Sequence, residues 1–471
     1  MKERWCHMYT LAIDVGTTNL KCHIFEGHQL VDNLSVPIET HYGSLGKIYQ
    51  NPERILVQCQ RLIRSVTQKG YDISAIVFST AMHSIMPIYD TQTDQELLIW
   101  QDYQSTAFVN QFKQEKLAET FYQATGTPIH EMSPFAKIAH FKSKPWFKDV
   151  TKWLGIKEYL MEAFTGQCVI DYSVASATGL FNIHKKEWDQ DILDYLDITS
   201  KELAKPVDTD RWYRIKPSLA DELFISQDVK VYVGASDGCL ASYASYLANG
   251  TANTLTLGTS GAVRKLSRQI ELDDNGQTFC YYLTKDYWVI GGATNNGGHV
   301  LEWADRVFYG KQQLFKELNH IVTESPLGSR GVLFFPFLCG ERAPLWDSTV
   351  TASFKGLTNQ HEKVDLARSV MEGILFNAYF ISELIQLEPR DLSINGGFFN
   401  HDILATMAAD IFGKTCIQSL YSEPSFGAIS LIDPPVTHLF TNQKRIFYNE
   451  DNHQRYMGYY DNYKKALHDY Y

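Results

Sequence analysis

The residues of this chain best able to do chemistry sit in short glycine- and hydroxyl-rich turns. The first, in "LAIDVGTTNLKCHIF", follows a strand-like run and joins Gly16, Thr17, Thr18 and Asn19, with Asp14 just before it and Lys21 just after. Backbone N–H groups, two hydroxyls and an ammonium can converge there, a combination that suits a phosphate. A carboxylate beside phosphate-binding amides is repulsive unless a cation lies between them, so Asp14 points to Mg2+. The alternative is a plain Gly/Thr hairpin turn, and the spacing matches neither a P-loop nor a Rossmann glycine pattern. The second turn, Gly258-Thr259-Ser260-Gly261 in "TLTLGTSGAVRKL", repeats the chemistry. Gly396-Gly397, ahead of a helical stretch, can let backbone approach a flat base or sugar closely. Three such turns are better explained by one bound nucleotide than by coincidence.

The elements that must position these turns follow from periodicity. Strand-like runs ("LAIDV", "KCHIFE", "AIVFSTA", "VYVGA") alternate with helical stretches such as "PERILVQCQRLIRSVTQKG", where Ile55, Leu56, Cys59, Leu62, Ile63 and Val66 recur at three- and four-residue steps. That alternation predicts an α/β fold. Around "TANTLTLGTSGAVRKL" a strand, a Gly/Thr turn and a strand start again, and "VDLARSVMEGILFNAYFISELIQL" and "HDILATMAADIFG" read as long amphipathic helices. Two α/β halves facing each other across a cleft are expected, with the boundary near residues 245–252, at "SYLANGTA", acting as a hinge.

Composition narrows the function classes. At 471 residues the chain is long enough for two or three domains. Acidic residues outnumber basic ones 54 to 43, for a formal charge of −11, which argues against a nucleic-acid partner. No apolar run reaches signal-peptide or membrane-spanning length, and the longest, "GVLFFPFLCG", is interrupted by Pro336, so a cytoplasmic protein with no membrane partner is expected. The eight cysteines, Cys6 among them, are scattered without a C-x-x-C pair, and reduced thiols are expected in place of zinc ligands or disulfides.

The motifs "IDVGTTNLK", "GASDG", "TLGTSGAVR", "GERAPLWD" and "NGGFFNHDILATMAADIFG" resemble, in this order and over nearly the whole chain, those of the FGGY carbohydrate kinases. The segments "STAMHSIMPIYD", "LLIWQDYQS", "TGTPIHEMSPFAK" and "KEYLMEAFTGQCVIDYSVASATGLFNI" are most similar to the gluconokinase branch. The resemblance implies two actin-like (ribonuclease H-like) ATPase domains across a cleft, residues 1–247 binding the sugar and 248–471 the nucleotide. It implies ATP and Mg2+ as cofactors and a small sugar acid or polyol as acceptor, D-gluconate foremost, with xylulose and glycerol as alternatives. A homodimer is compatible with it.

By the same resemblance Asp14 orients Mg2+, while Gly16, Thr17, Thr18, Asn19 and Lys21 surround the transferring phosphate. Gly258 and Thr259 would hold the remaining phosphates, Gly298 and Glu302 of "GGHVLEW" would lie near the ribose, and Gly397 and Asn400 would border the adenine. Asp237 takes the place of the catalytic base, and Met82, His83, Trp100 and Asp102 those of the sugar contacts. A sugar acid also needs a cation for its carboxylate, for which Lys137 and Arg342 are candidates. Taken alone, Asp237 reads equally as the cap of the helix-like "GCLASYASYL", and the His, Trp, Lys and Arg as packed or ion-paired residues. An actin- or Hsp70-like nucleotide switch is the rival class, but the sugar-side set of His83, Trp100 and Asp102 has no use in one. Asp433-Pro434-Pro435 should stop the helix begun in "SEPSFGAISL".

Overall fold

The computed structural model describes residues 8–90, 95–310, 312–418, 423–435 and 443–470, so Cys6 lies outside the described residues. In chain order the elements used below are β1 (Met8–Val15), β2 (Asn19–Glu26), β3 (Gln29–Pro37), α1 (Pro52–Gln68), β4 (Asp72–Thr80), α2 (Pro134–Phe141), β5 (Trp212–Arg214), β6 (Lys230–Ser236) and α3 (Asp237–Asn249). They continue as β7 (Asn253–Leu257), β8 (Gly261–Ser267), β9 (Phe279–Thr284), β10 (Tyr287–Thr294), α4 (Gly298–Ala304), α5 (Lys363–Leu384), β11 (Leu392–Asn395), α6 (Asp402–Phe412), β12 (Cys416–Gln418), α7 (Pro424–Ile432), β13 (Lys444–Ile446) and α8 (Glu450–Leu467).

Two sheets organise the molecule. The first runs β5-β6-β4-β1-β2-β3 and the second β9-β10-β8-β7-β11-β12-β13. In each, a hairpin built on a Gly/Thr turn (β1–β2, β7–β8) joins parallel strands on its other side: β1 pairs with β4 and β4 with β6, while β7 pairs with β11 and β11 with β12. The repeated strand–turn–strand pattern is thus a repeated topology. Central β1 is buried through Leu11–Val15, as a strand covered on both faces must be, whereas edge strand β3 alternates half-buried with exposed positions.

The helices form where their periodicity places them. α1 begins at Asn51, whose side chain accepts the Arg54 N–H at 2.9 Å, with Pro52 in the first turn, and it buries Ile55, Cys59, Leu62, Ile63 and Val66. The long amphipathic stretches are α5 and α6. α7 ends at Ile432, just before Asp433-Pro434, where proline forbids further helix. Although it lies late in the chain, α7 packs on α3 and against β1 and β4 of the first sheet, so two helices, α3 and α7, tie the halves together. The seven described cysteines are free. Among the described residues no helix is long and apolar enough to cross a membrane.

Candidate active site

The parallel strands of the first sheet deliver the polar residues to one edge. Val15 of β1 is level with Thr80 of β4, and Thr80 with Ser236 of β6, so the turn at Gly16, the segment Ala81–His83 and Asp237 emerge side by side at the carboxyl ends of three strands. That is where open α/β sheets bind ligands. A bulge sets the last of these ends. Gly234, at φ +73, lies where a Cβ would stand 1.8 Å from the Phe78 carbonyl oxygen, so no side chain fits, and the register shift beside it re-aims Ser236 and Asp237.

The second sheet does the same with its own turns. β7 and β11 are parallel and end at Gly258 and at Gly396-Gly397. Gly396 has φ +101, and a Cβ there would meet the Leu257 carbonyl oxygen at 2.3 Å. The Gly298 N–H donates to the Gly258 carbonyl at 2.6 Å, drawing the start of α4 onto the same turn. Gly397, Asn400 and Glu302 are left on the surface of this crevice, all exposed.

Both hydroxyl-bearing turns open on one cleft of about 1270 Å3, lined by Thr17 and Thr18 from the first sheet, Thr259 and Ser260 from the second, and Trp100 and Arg342 between them. An inner cavity of about 270 Å3 continues from it and is lined by Met82, His83, Asp237, Arg264, Tyr281 and Arg342 among others. A separate depression of about 840 Å3, around Pro87, Tyr89 and Trp146, receives neither turn.

The expected sugar contacts divide by role. His83 is held at φ +69, unusual for a residue with a Cβ, and its Nδ1 lies 2.8 Å from the Ala177 carbonyl oxygen. A carbonyl only accepts, so Nδ1 carries the proton. Burial, with Lys137 and Arg342 nearby, pushes the imidazole down to about 3, so it is neutral and its Nε2 is an acceptor. Trp100 Nε1 donates to Thr17 Oγ1 at 3.0 Å, fastening the first turn. Asp102 lines the cleft but is fully buried; its Oδ2 accepts from the Ile48 N–H at 3.0 Å and from Gln104 Nε2 at 2.8 Å, which makes it a support for the wall.

Lys137 differs from its expected place. It lies on α2, 1% exposed, and its Nζ donates to the carbonyl oxygens of His83, at 3.0 Å, and Met132. It holds the strained His83 backbone and lines neither cavity, because a buried ammonium spends its donors on the nearest acceptors. Burial pulls it down to about 7.

Asp14 and Asp237 are close enough to act on each other through space. Ser79 Oγ donates to Asp14 Oδ1 at 2.6 Å, and among the described residues Oδ2 takes no hydrogen bond. Burial, then the negative charge of Asp237, pushes Asp14 up to about 7. A desolvated carboxylate with a free oxygen, facing turns that suit phosphates, fits Mg2+, which is commonly held by one or two carboxylates plus substrate phosphates. Among the described residues there is no cluster of three or more His, Cys, Asp or Glu that could hold a metal ion by itself. Lys21, opposite Asp14 on β2, pairs with Glu423 at 2.7 Å; that pair is a third or more exposed and is exchanged at little cost. Asp237 opens α3 with its Oδ1 accepting the Gly238 N–H at 2.6 Å, and burial raises its pKa.

Sequence reasoning missed several residues. Glu341, fully buried, accepts from Thr294 Oγ1 at 2.6 Å, Asn377 Nδ2 at 2.8 Å and the Arg342 N–H at 2.7 Å, fixing the backbone from which Arg342 projects. Buried His130 and Glu131 line the cleft with Nε2 and Oε2 3.5 Å apart. Arg264 stands in the very motif that carries the second turn.

Two facing α/β halves whose phosphate-suited turns meet at one cleft, with a carboxylate at its inner end, define a phosphotransferase of the actin-like ATPase class. Family models for the N-terminal and C-terminal domains of the FGGY carbohydrate kinases match residues 9–243 and 253–431. The chain belongs to the FGGY family of carbohydrate kinases, ATP-dependent enzymes. It is 34% identical over 446 residues to a gluconokinase of Bacillus subtilis, covering 90% of this chain and 86% of that one. It is 28% identical over 437 residues to a xylulose kinase of Lactococcus lactis, covering 89% and 86%. A crystal structure of gluconate kinase from Lactobacillus acidophilus matches with a TM-score of 0.93 at 30% identity, over 98% of both chains. A ligand-bound xylulose kinase structure from the same organism matches with the same three figures. The fold is therefore common to kinases named for different sugars, and side chains must choose among them.

Proposed function

We propose that this chain transfers the γ-phosphoryl group of ATP to the terminal hydroxyl of D-gluconate, giving 6-phospho-D-gluconate and ADP, as a Mg2+-dependent cytoplasmic enzyme. The observation that carries this reading is the cleft itself: the turns of both sheets line it, and Asp237 stands at its inner end. Thr17 and Thr18 on one side, and Gly258, Thr259 and Ser260 on the other, hold the phosphates. Gly298 with Glu302 borders the ribose, and Gly397 with Asn400 the adenine. The part of the chain before residue 248 brings His83, Trp100 and Asp237 to the sugar, and the part after it brings Gly258, Thr259, Gly298, Glu302, Gly397 and Asn400 to the nucleotide.

Catalysis here is positioning and charge compensation. Asp237 accepts the hydroxyl proton as the sugar oxygen bonds to the γ-phosphorus, while the bond to the bridging oxygen breaks and its electrons leave with ADP. Lys21 leaves Glu423 for the phosphoryl oxygens. Asp14 would hold Mg2+, which would supply further positive charge at those oxygens. His83, neutral, offers Nε2 to a sugar hydroxyl, and Trp100 keeps Thr17 in place.

Gluconate as acceptor is supported by the 34% identity to a gluconokinase against 28% to a xylulose kinase. Xylulose is the second reading, favoured by the equal structural match to a xylulose kinase. Coupled ADP-release assays over D-gluconate, its epimers, D-xylulose, D-ribulose and glycerol test this, with the highest kcat/KM expected for gluconate. Equal or higher kcat/KM with xylulose or glycerol overturns it.

A further inference from the structure

The inner cavity gathers two arginines, the Asp237 carboxylate and a phenol, with donors that nothing around them uses. Arg264, on β8, rises between Gly291, where a Cβ would lie 3.0 Å from its Cγ, and Gly238, where a Cβ would lie 3.2 Å from its Nη2. Small residues on both sides thus leave a channel for its side chain from the second sheet to the first turn of α3. Among the described residues its guanidinium makes no hydrogen bond and no ion pair, although Asp237 is near enough to act on it through space. Arg342 enters from the side. Its Nη2 donates to the Thr294 carbonyl at 2.9 Å and its guanidinium lies 4.9 Å from the Trp100 ring, but its Nε is buried without a partner. The Tyr281 hydroxyl, in the same cavity, is likewise buried and unpartnered. Through space the carboxylate of Glu341 favours the charge of Arg342, and the guanidinium of Arg264 opposes it.

A guanidinium without a bonded partner, a buried Nε and a buried hydroxyl around one cavity leave their donors unused unless an anionic ligand takes them. The guanidinium fork matches a carboxylate in both geometry and charge. The nucleotide phosphates have their own turns in the outer cleft. A neutral ketose or polyol would leave the donors unpaired, and sites built for a hydrogen-bonding group discriminate strongly against ligands that lack it.

We infer that Arg264 and Arg342, with the Tyr281 hydroxyl, form the receptor for the carboxylate of a sugar-acid substrate, and that Arg264 is the residue that selects acids over neutral sugars. This rests on the reading of the cleft as a sugar-acid kinase site.

The test compares D-gluconate with its neutral amide D-gluconamide, and with D-xylulose, on the full chain and on Arg264→Gln and Tyr281→Phe. Removing one partner of a buried charge pair corresponds to about 30- to 4,000-fold. The ratio of kcat/KM for gluconate to that for gluconamide should fall by about this factor in Arg264→Gln, mainly through KM, with Arg264→Lys recovering part of it. Tyr281→Phe, which removes one oxygen and leaves the packing intact, should lower the same ratio by roughly tenfold or less, and decides the matter if Arg264→Gln does not fold. Equal losses on all three acceptors in both variants would overturn the receptor, placing Arg264 with the phosphoryl group or Asp237. A wild-type enzyme that phosphorylates xylulose but not gluconate would instead overturn the sugar-acid reading on which the receptor rests.

Discussion

Asp237 does not cap α3, as a reading of the sequence alone allowed. It is the first residue of that helix, after the N-cap Ser236, its carboxylate takes only the adjacent Gly238 N–H, and it lines the inner cavity. Asn keeps the size and much of the hydrogen bonding of Asp but is not a base. Asp237→Asn should therefore fold normally and bind gluconate within a few-fold of wild type, while kcat drops by about 10²–10⁴. Stopped-flow kinetics with equilibrium binding separates chemistry from binding, and near-normal kcat would reject the base assignment. The pH dependence has a definite sign. Burial raises the pKa of Asp237, so the basic form is lost as pH falls through a value above the ordinary carboxylate range, and Asp14, raised to about 7, is protonated in the same direction. The acid limb of wild-type kcat/KM should accordingly lie above the usual carboxylate range.

At the scale of elements, the contact between α3 and α7 is a close one beside the site. Gly427 of α7 lies so close to α3 that a Cβ would stand 2.1 Å from the Leu240 carbonyl oxygen. Backbone on both sides leaves nothing flexible to give way. Gly427→Ala should force the helices apart at a cost of about 1–3 kcal/mol, seen as a lower Tm in calorimetry. Because α3 begins with Asp237 and α7 follows Glu423, the partner of Lys21, kcat should fall as well. An unchanged Tm would show that the helices can separate freely. The same close approach explains why α7, a late piece of the chain, is committed to the first half.

The whole molecule has its two Gly/Thr turns on different sheets, joined through α3 and α7. On the reading proposed above, one nucleotide held by both turns should draw the sheets toward one another, and the half-buried pair Lys21–Glu423 should give way as it does so. Small-angle scattering with gluconate and a non-hydrolysable ATP analogue should give a smaller radius of gyration than the free protein. No change in radius or in inter-domain distances would argue for a cleft already closed.

Local chemistry was legible from the chain alone. Strand ends, Gly/Thr turns and the helices α1, α5 and α6 follow from periodicity and turn residues, because those depend on neighbours a few positions away. Asp14 and Thr17 could be singled out because they sit in a short motif with its own chemical logic, whereas Asp237 stood out only through the family resemblance of its motif. Tertiary structure decided the rest. Arg264, Tyr281 and Asp237 face one cavity only because two sheets close around it, and Glu423 reaches Lys21 across 402 positions. Lys137 shows the limit most plainly: its cationic side chain suits a carboxylate, yet burial on α2 turned it onto two carbonyl oxygens. Residue type specifies which interactions a side chain can make, and only the packed fold specifies which partner lies within reach and how far water is excluded from the pair.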